Sequence, residues 1–169
     1  MAETTLKGEV VKLEGRFLKP KDLAPDFALC STDLTSKTLQ SFTGKAKVIA
    51  TVPSLDTEVC SMESKEINKL AIQYPSIFFM IVSKDLPFAQ KRFCKEAHLN
   101  NIITLSDIRS NSNFARNYGV LIKSGPLDGL LARGIVLLDS SDKVIYSELI
   151  AKIETAPNFA QLQSALERM

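Results

Sequence analysis

Two short apolar runs bracket a helical pattern in the first half of the chain, and this arrangement restricts the fold more than any other feature. Val48 to Val52 (V-I-A-T-V) and Ile77 to Val82 (I-F-F-M-I-V) are rich in β-branched and aromatic residues and are too short for helices. Both predict strands buried on two faces. Pro53 stops the first, because proline has no N–H to give to a sheet ladder. From Glu58 to Tyr74, Val59, Met62, Ile67, Leu70 and Ala71 recur at helical spacing. Asp56 and Thr57 are suitable N-caps, and Pro75 ends the pattern. Strands joined through helices call for a parallel or mixed sheet covered on both faces.

The flanking sequence extends this core. Thr4 to Val11 alternates loosely and predicts one arm of an N-terminal hairpin, with Gly8 and Gly15 at turns or bulges. Lys19 to Pro25 reads as loop. Phe27 to Cys30 predicts a short strand, and Thr38 to Phe42 a segment pairing back on it. Pro87 to Ala97 predicts a helix whose apolar positions are Phe88, Phe93, Cys94 and Ala97. Ile102 to Leu105 predicts a strand, and Asn111 to Tyr118 a short helix closed by Gly119 at C′. Ala132 to Leu138 and Val144 to Leu149 are separated by D-S-S-D-K, which makes them an antiparallel hairpin, and Pro157 to Arg168 predicts the closing helix. The expected class is therefore α/β and thioredoxin-like: a mixed central sheet, helices on both faces and an N-terminal β-hairpin. A flavodoxin-like fold would need a wholly parallel sheet, which the 132–149 hairpin opposes. With 169 residues and no linker or repeat, residues 1–169 are expected to form a single domain.

Composition narrows the function classes. A formal net charge of +2 without a long basic run argues against nucleic acid as a partner. The longest apolar run, Ile77 to Val82, is too short to cross a bilayer. The opening M-A-E-T-T-L-K-G-E lacks the apolar centre of a signal peptide, so a cytoplasmic location is expected and no membrane partner. Cys30, Cys60 and Cys94 do not form a secreted disulfide framework, and their plainest reading is three buried thiols. No two cysteines are close in sequence and His98 is the only histidine, so neither a metal nor a cofactor is expected.

Cys60 departs from that plain reading because of where it falls. It sits in the first turn of the helix, where unpaired backbone N–H groups and the positive end of the helix dipole stabilise a thiolate. The surrounding residues then point to a family. P-S-L-D-T-E-V-C, from Pro53 to Cys60, resembles the P-x-x-x-T-x-x-C signature of peroxiredoxins. With V-P-S-L-D-T before the cysteine, it is similar to their bacterial thiol peroxidase branch, which uses two cysteines of one chain. Ala24-Pro25-Asp26-Phe27 resembles the A-P-D-F motif of the same superfamily. Arg133 falls where the family keeps an active-site arginine, and Cys94 where this branch keeps its resolving cysteine.

The resemblance implies a catalytic set of Cys60, Cys94, Thr57, Arg133 and Pro53, and each residue has a physical reason to be there. Attack on a peroxide needs a thiolate. Arg133 supplies a cation for it, and its fork can bond the peroxide oxygens as charge moves onto the leaving group. Thr57 is about one helical turn from Cys60, so its hydroxyl can face the sulfur. Pro53 would cover the site. Taken singly, Thr57 reads as an N-cap, Pro53 as a strand terminator, Arg133 as a surface residue and Cys94 as core.

The implied cycle reduces hydrogen peroxide and alkyl hydroperoxides through a Cys60 sulfenic acid. That acid condenses with Cys94 to a disulfide, which thioredoxin reduces. The resemblance also implies a homodimer. Glu58 and Ser61 depart from the residues many relatives carry, and Glu58 places a negative charge near the sulfur. Cys30 has no part in the scheme and reads as a buried strand thiol. Two other functions compete. A disulfide oxidoreductase needs C-x-x-C, but Glu63 stands three residues after Cys60. A peroxide-sensing switch would relay oxidation to a partner through the same two cysteines.

Overall fold

The computed structural model describes residues 2–169. Its strands are β1 (Glu3–Leu6), β2 (Glu9–Glu14), β3 (Leu29–Ser31), β4 (Ser36–Lys37), β5 (Lys47–Thr51), β6 (Phe78–Ser83), β7 (Ile103–Ser106), β8 (Leu121–Ile122), β9 (Gly134–Leu138) and β10 (Val144–Leu149). Its helices are α1 (Glu58–Gln73), α2 (Pro87–Glu96), α3 (Phe114–Asn117) and α4 (Phe159–Glu167). Seven strands form the main sheet, in the order β10-β9-β5-β6-β7-β3-β4. β5, β6 and β7 are parallel and joined through α1 and α2, while β9 and β3 run antiparallel against the two edges of that trio. The sheet is mixed, as the 132–149 hairpin requires.

Every residue of β5 and β9 is buried. Alternate side chains serve opposite faces, as strand geometry dictates. Val48, Ala50, Phe79, Ile81, Ile135 and Leu137 join Ile67, Leu70 and Ala71 of α1 and Leu162, Ala165 and Leu166 of α4 in one cluster. Ile49, Met80, Val82, Val136 and Leu138 point the other way, into a cluster with Phe114 of α3, Tyr118, and Val11 and Leu13 of β2. Helices therefore lie on both faces. The second face is closed mainly by the N-terminal hairpin, its following loop and α3. These meet where Gly119, at φ +68°, lies against Arg16: a Cβ there would come within 2.2 Å of the Arg16 backbone.

Several elements differ from expectation. Both arms of the N-terminal hairpin lie within Glu3–Glu14, turning at Lys7 and Gly8, so Thr4 to Val11 spans the turn rather than one arm. Thr38 to Phe42 is not a strand: Ser36–Lys37 pairs with β3, and Leu39–Phe42 forms a 3-10 turn. Thr38 and Ser41 close a capping box there, and the Asp26 carboxylate accepts the Leu39 N–H at 3.0 Å, satisfying groups that a strand would have given to a neighbour. On α1 the buried face is Cys60, Glu63, Ser64, Ile67, Asn68, Leu70 and Ala71, while Met62 stands 63% exposed. On α2 only Pro87 and Gln90 are buried, and Phe88 is 67% exposed. The helix expected over Asn111 to Tyr118 is a single turn, Phe114–Asn117.

Candidate active site

The parallel trio ends at one edge of the sheet, and the loop after β5 crosses that edge. The Val52 N–H donates to Val82 O at 3.1 Å, Pro53 follows, buried, and Thr57 opens α1. Thr57 is extended (φ −94°, ψ 152°), and its Oγ1 accepts the Cys60 N–H at 3.1 Å. The expected N-cap is present, and because the oxygen is occupied as an acceptor, the hydroxyl proton remains to be donated. Cys60 is fully buried, and its carbonyl accepts from Ser64 Oγ at 2.7 Å, which fixes the first turn from below.

Arg133 arrives from far along the chain. Thr51 Oγ1 donates to Ala132 O at 2.8 Å, so the pairing of β5 with β9 brings Arg133 to the same edge. Its side chain is 2% exposed, which overturns the surface reading of this residue. Nε donates to Ile153 O at 2.9 Å, aiming the guanidinium inward, and Nη1 donates to Cys60 Sγ at 3.2 Å. A cation at that distance in a water-poor setting is placed to meet negative charge at the sulfur.

Nη1 also donates to the Glu63 carboxylate, forming a fully buried ion pair. Glu63 was not among the residues picked out from sequence. Its signal was its position, three residues after Cys60 and hence on the same helical face. Burial pushes the Glu63 carboxyl up to about 7, against the pull of the Arg133 charge and hydrogen bond, and its Oε1 has no partner. Burial also works against the charge on Arg133, but Glu63 and Cys60 outweigh it and raise the guanidinium further.

The two other cysteines stand apart from this cluster. Cys94 lies on α2, half-buried and unpaired. Burial pushes its thiol up, opposed by a hydrogen bond with Thr104. Cys30 is buried on β3, where Arg109 Nη2 approaches its sulfur at 3.5 Å while donating to Leu34 O. Glu58 is exposed in the first turn of α1, where an anion suits the helix N-terminus. The structure thus brings Thr57, Cys60 and Arg133 together, adds Glu63 to them, and leaves Cys94 on a neighbouring helix. Among the described residues, no group of three or more His, Cys, Asp or Glu side chains is placed to hold a metal ion. Among the described residues, no helix is long and apolar enough to cross a membrane.

Comparison with known proteins gives a consistent pattern. The family described as Redoxin matches residues 19–166. A thiol peroxidase of Leptospira interrogans is 44% identical over 161 residues, covering 94% of each chain. One from Staphylococcus aureus is 42% identical over 159 residues, again covering 94% of each. Among solved structures, a peroxiredoxin-like protein from Aquifex aeolicus superposes with a TM-score of 0.92 at 38% identity, over 100% of this chain and 98% of that one.

Proposed function

The chain belongs to the redoxin family, alongside the thiol peroxidases, and catalyses thiol-dependent reduction of peroxides; on that premise we propose that Cys60 attacks the peroxide and Cys94 resolves the product. The observation that carries this assignment is the 3.2 Å contact from Arg133 Nη1 to Cys60 Sγ at the start of α1.

The Cys60 thiolate attacks one peroxide oxygen and the O–O bond breaks. The sulfur is oxidised to a sulfenic acid, and the departing oxygen takes a proton and leaves as water or an alcohol. Arg133 holds the thiolate and then the charge that gathers on the departing oxygen. Thr57, with its hydroxyl proton free, orients the peroxide, and Pro53 shields the sulfur from water. The Cys94 sulfur then attacks the sulfenic sulfur, hydroxide leaves and is protonated, and one disulfide remains within the chain. A thioredoxin-type dithiol reduces it through a mixed disulfide. Hydrogen peroxide and alkyl hydroperoxides both suit this scheme.

The same reading takes residues 1–169 as one domain and places the chain in the cytoplasm, where three unpaired thiols and a dithiol reductant are at home. It also makes the chain a homodimer, an assembly that would cover some of the apolar side chains left exposed, such as Met62 and Phe88.

The test is NADPH consumption with thioredoxin, thioredoxin reductase and an organic hydroperoxide. Wild type should turn over continuously, Cys60→Ser should be inactive, and Cys94→Ser should lose turnover while still forming one sulfenic acid. Turnover that survives Cys60→Ser would refute the assignment. A single oxidation without turnover would favour a relay to another protein.

A further inference from the structure

Cys60 is fully buried and Cys94 sits on another helix, so forming the disulfide requires that something in this arrangement let go. Two cysteines bridge only when their Cα atoms lie within about 7 Å with suitable orientation. Apolar packing holds α2 weakly. Of its ten residues only Pro87 and Gln90 are buried, Phe88 faces solvent, and a cleft of about 60 Å³, lined by Leu55 and Phe93 together with charged side chains including Asp85 and Arg92, lies between it and the loop before α1. What spans that gap is polar.

Asp85, two residues before α2, receives three hydrogen bonds on its carboxylate. Ser54 Oγ donates to Oδ1 at 2.8 Å, and the Leu55 N–H and Ser83 Oγ donate to Oδ2, each at 2.8 Å. The Asp56 N–H then donates to Ser54 Oγ at 3.2 Å. The other end of the connection is equally fixed. Ser106 Oγ donates to Asp85 O at 2.6 Å, and Gln90 Nε2, inside α2, donates to Ser83 Oγ at 3.1 Å and to Leu105 O at 3.0 Å. The Asp85 carboxylate thus ties the loop that precedes Cys60 to the end of β6 at the root of the helix that carries Cys94, and its main-chain carbonyl adds the tie to the end of β7. Hydrogen bonds to a charged acceptor are among the stronger ones in proteins.

We propose that Asp85 is a latch that holds the Ser54–Thr57 loop and the base of α2 in the peroxide-reactive arrangement, and so sets how long the Cys60 sulfenic acid persists before Cys94 reaches it. This rests on Cys60 and Cys94 being the reacting pair. While the latch is closed, a second hydroperoxide can convert Cys60–SOH to the sulfinic acid, leaving water or an alcohol. When it opens, the Cys94 sulfur attacks and water leaves. Asp85 touches neither the sulfur nor the peroxide; it acts by positioning the loop.

The experiment is a single-turnover reaction of the reduced full chain with an organic hydroperoxide. The disulfide is followed by quenched-flow mass spectrometry, and sulfinic acid is counted after exposure to excess peroxide. Asp85→Ala should close the disulfide about tenfold faster and lower the sulfinic fraction accordingly. Ser54→Ala, which removes one of the three bonds and leaves Asp85 in place, should shift both in the same direction by a smaller factor. It also serves as the test if Asp85→Ala does not fold. Unchanged closure rates and sulfinic fractions in folded variants would overturn the latch. Absence of any Cys60–Cys94 disulfide in wild type would overturn the cysteine assignment instead, and the two failures are distinguishable.

Discussion

Two buried cations lie at opposite ends of the β5–β9 pair, and their surroundings differ in kind. Lys47, at the start of β5, is fully buried and bonds Asp142 Oδ1 at 2.6 Å and Lys45 O at 2.8 Å. Its carboxylate partner keeps 28% of its side chain in solvent, so one half of the pair stays hydrated. Arg133, just before β9, has a partner with no solvent at all and an oxygen left unpaired, and it shares its charge with a thiol. The first pair ties a turn to a strand and leaves its carboxylate partly hydrated. The second keeps an incompletely satisfied carboxylate in a dry site beside the sulfur, and such groups cluster in functional sites.

The contrast yields ordered predictions. Arg133→Lys retains a positive charge but loses the fork that reaches Ile153 O, Glu63 and Cys60. Peroxide reduction should fall by about 10²–10³-fold, measured as the second-order rate of Cys60 oxidation. At the other end, Asp142→Asn should leave that rate unchanged. It should lower stability to urea by about 3 kcal/mol, because the Lys47 charge is stranded in the interior. Lys47→Met should cost less, since the abandoned Asp142 already touches water.

Glu63→Gln tests the dry carboxylate through pH. The Glu63 carboxyl titrates from the ordinary 4.5 when unfolded and near 7 when folded, so the unfolded chain releases its proton first. This group's contribution is therefore fully present below pH 4.5, declines as pH rises and is lost by about 7. Denaturation midpoints across that window should slope less in Glu63→Gln than in wild type; equal slopes would mean that the carboxyl ionises normally. The smallest effect is expected for Cys30→Ala, which should leave turnover intact, since Cys30 lies on β3 and bonds Arg109 rather than Arg133.

Much of this was legible in the residues. The apolar runs marked β5 and β6, D-S-S-D-K marked the turn that makes the sheet mixed, and the Pro53–Thr57–Cys60 spacing pointed to the loop and helix start where Cys60 meets Arg133. Glu63 escaped because a glutamate within a helix ordinarily faces water, and the apolar count placed Val59 and Met62 on the inner face instead. Glu63 lies on the face of α1 that packs on the sheet, and the distant Arg133 gives its carboxylate a partner there. Thr38 to Phe42 failed for a similar reason: the Asp26 carboxylate that holds the 3-10 turn is thirteen positions away. Phe88 was assigned to the core by periodicity, yet α2 has no element above it to pack against in a single chain. In the first two cases the local pattern was sound and a remote partner decided the outcome, whereas for Phe88 the lack of one did.

Cys60 and the guanidinium at its sulfur are separated by 73 residues. During synthesis, the cysteine leaves the ribosome well before Arg133, and β9 must still pair with β5 before the two meet. A growing or truncated chain therefore lacks the Arg133 contact at its Cys60 sulfur. On the proposed assignment, the site is complete only once the sheet closes, so an unfinished copy is expected to react with peroxide more slowly than the finished one.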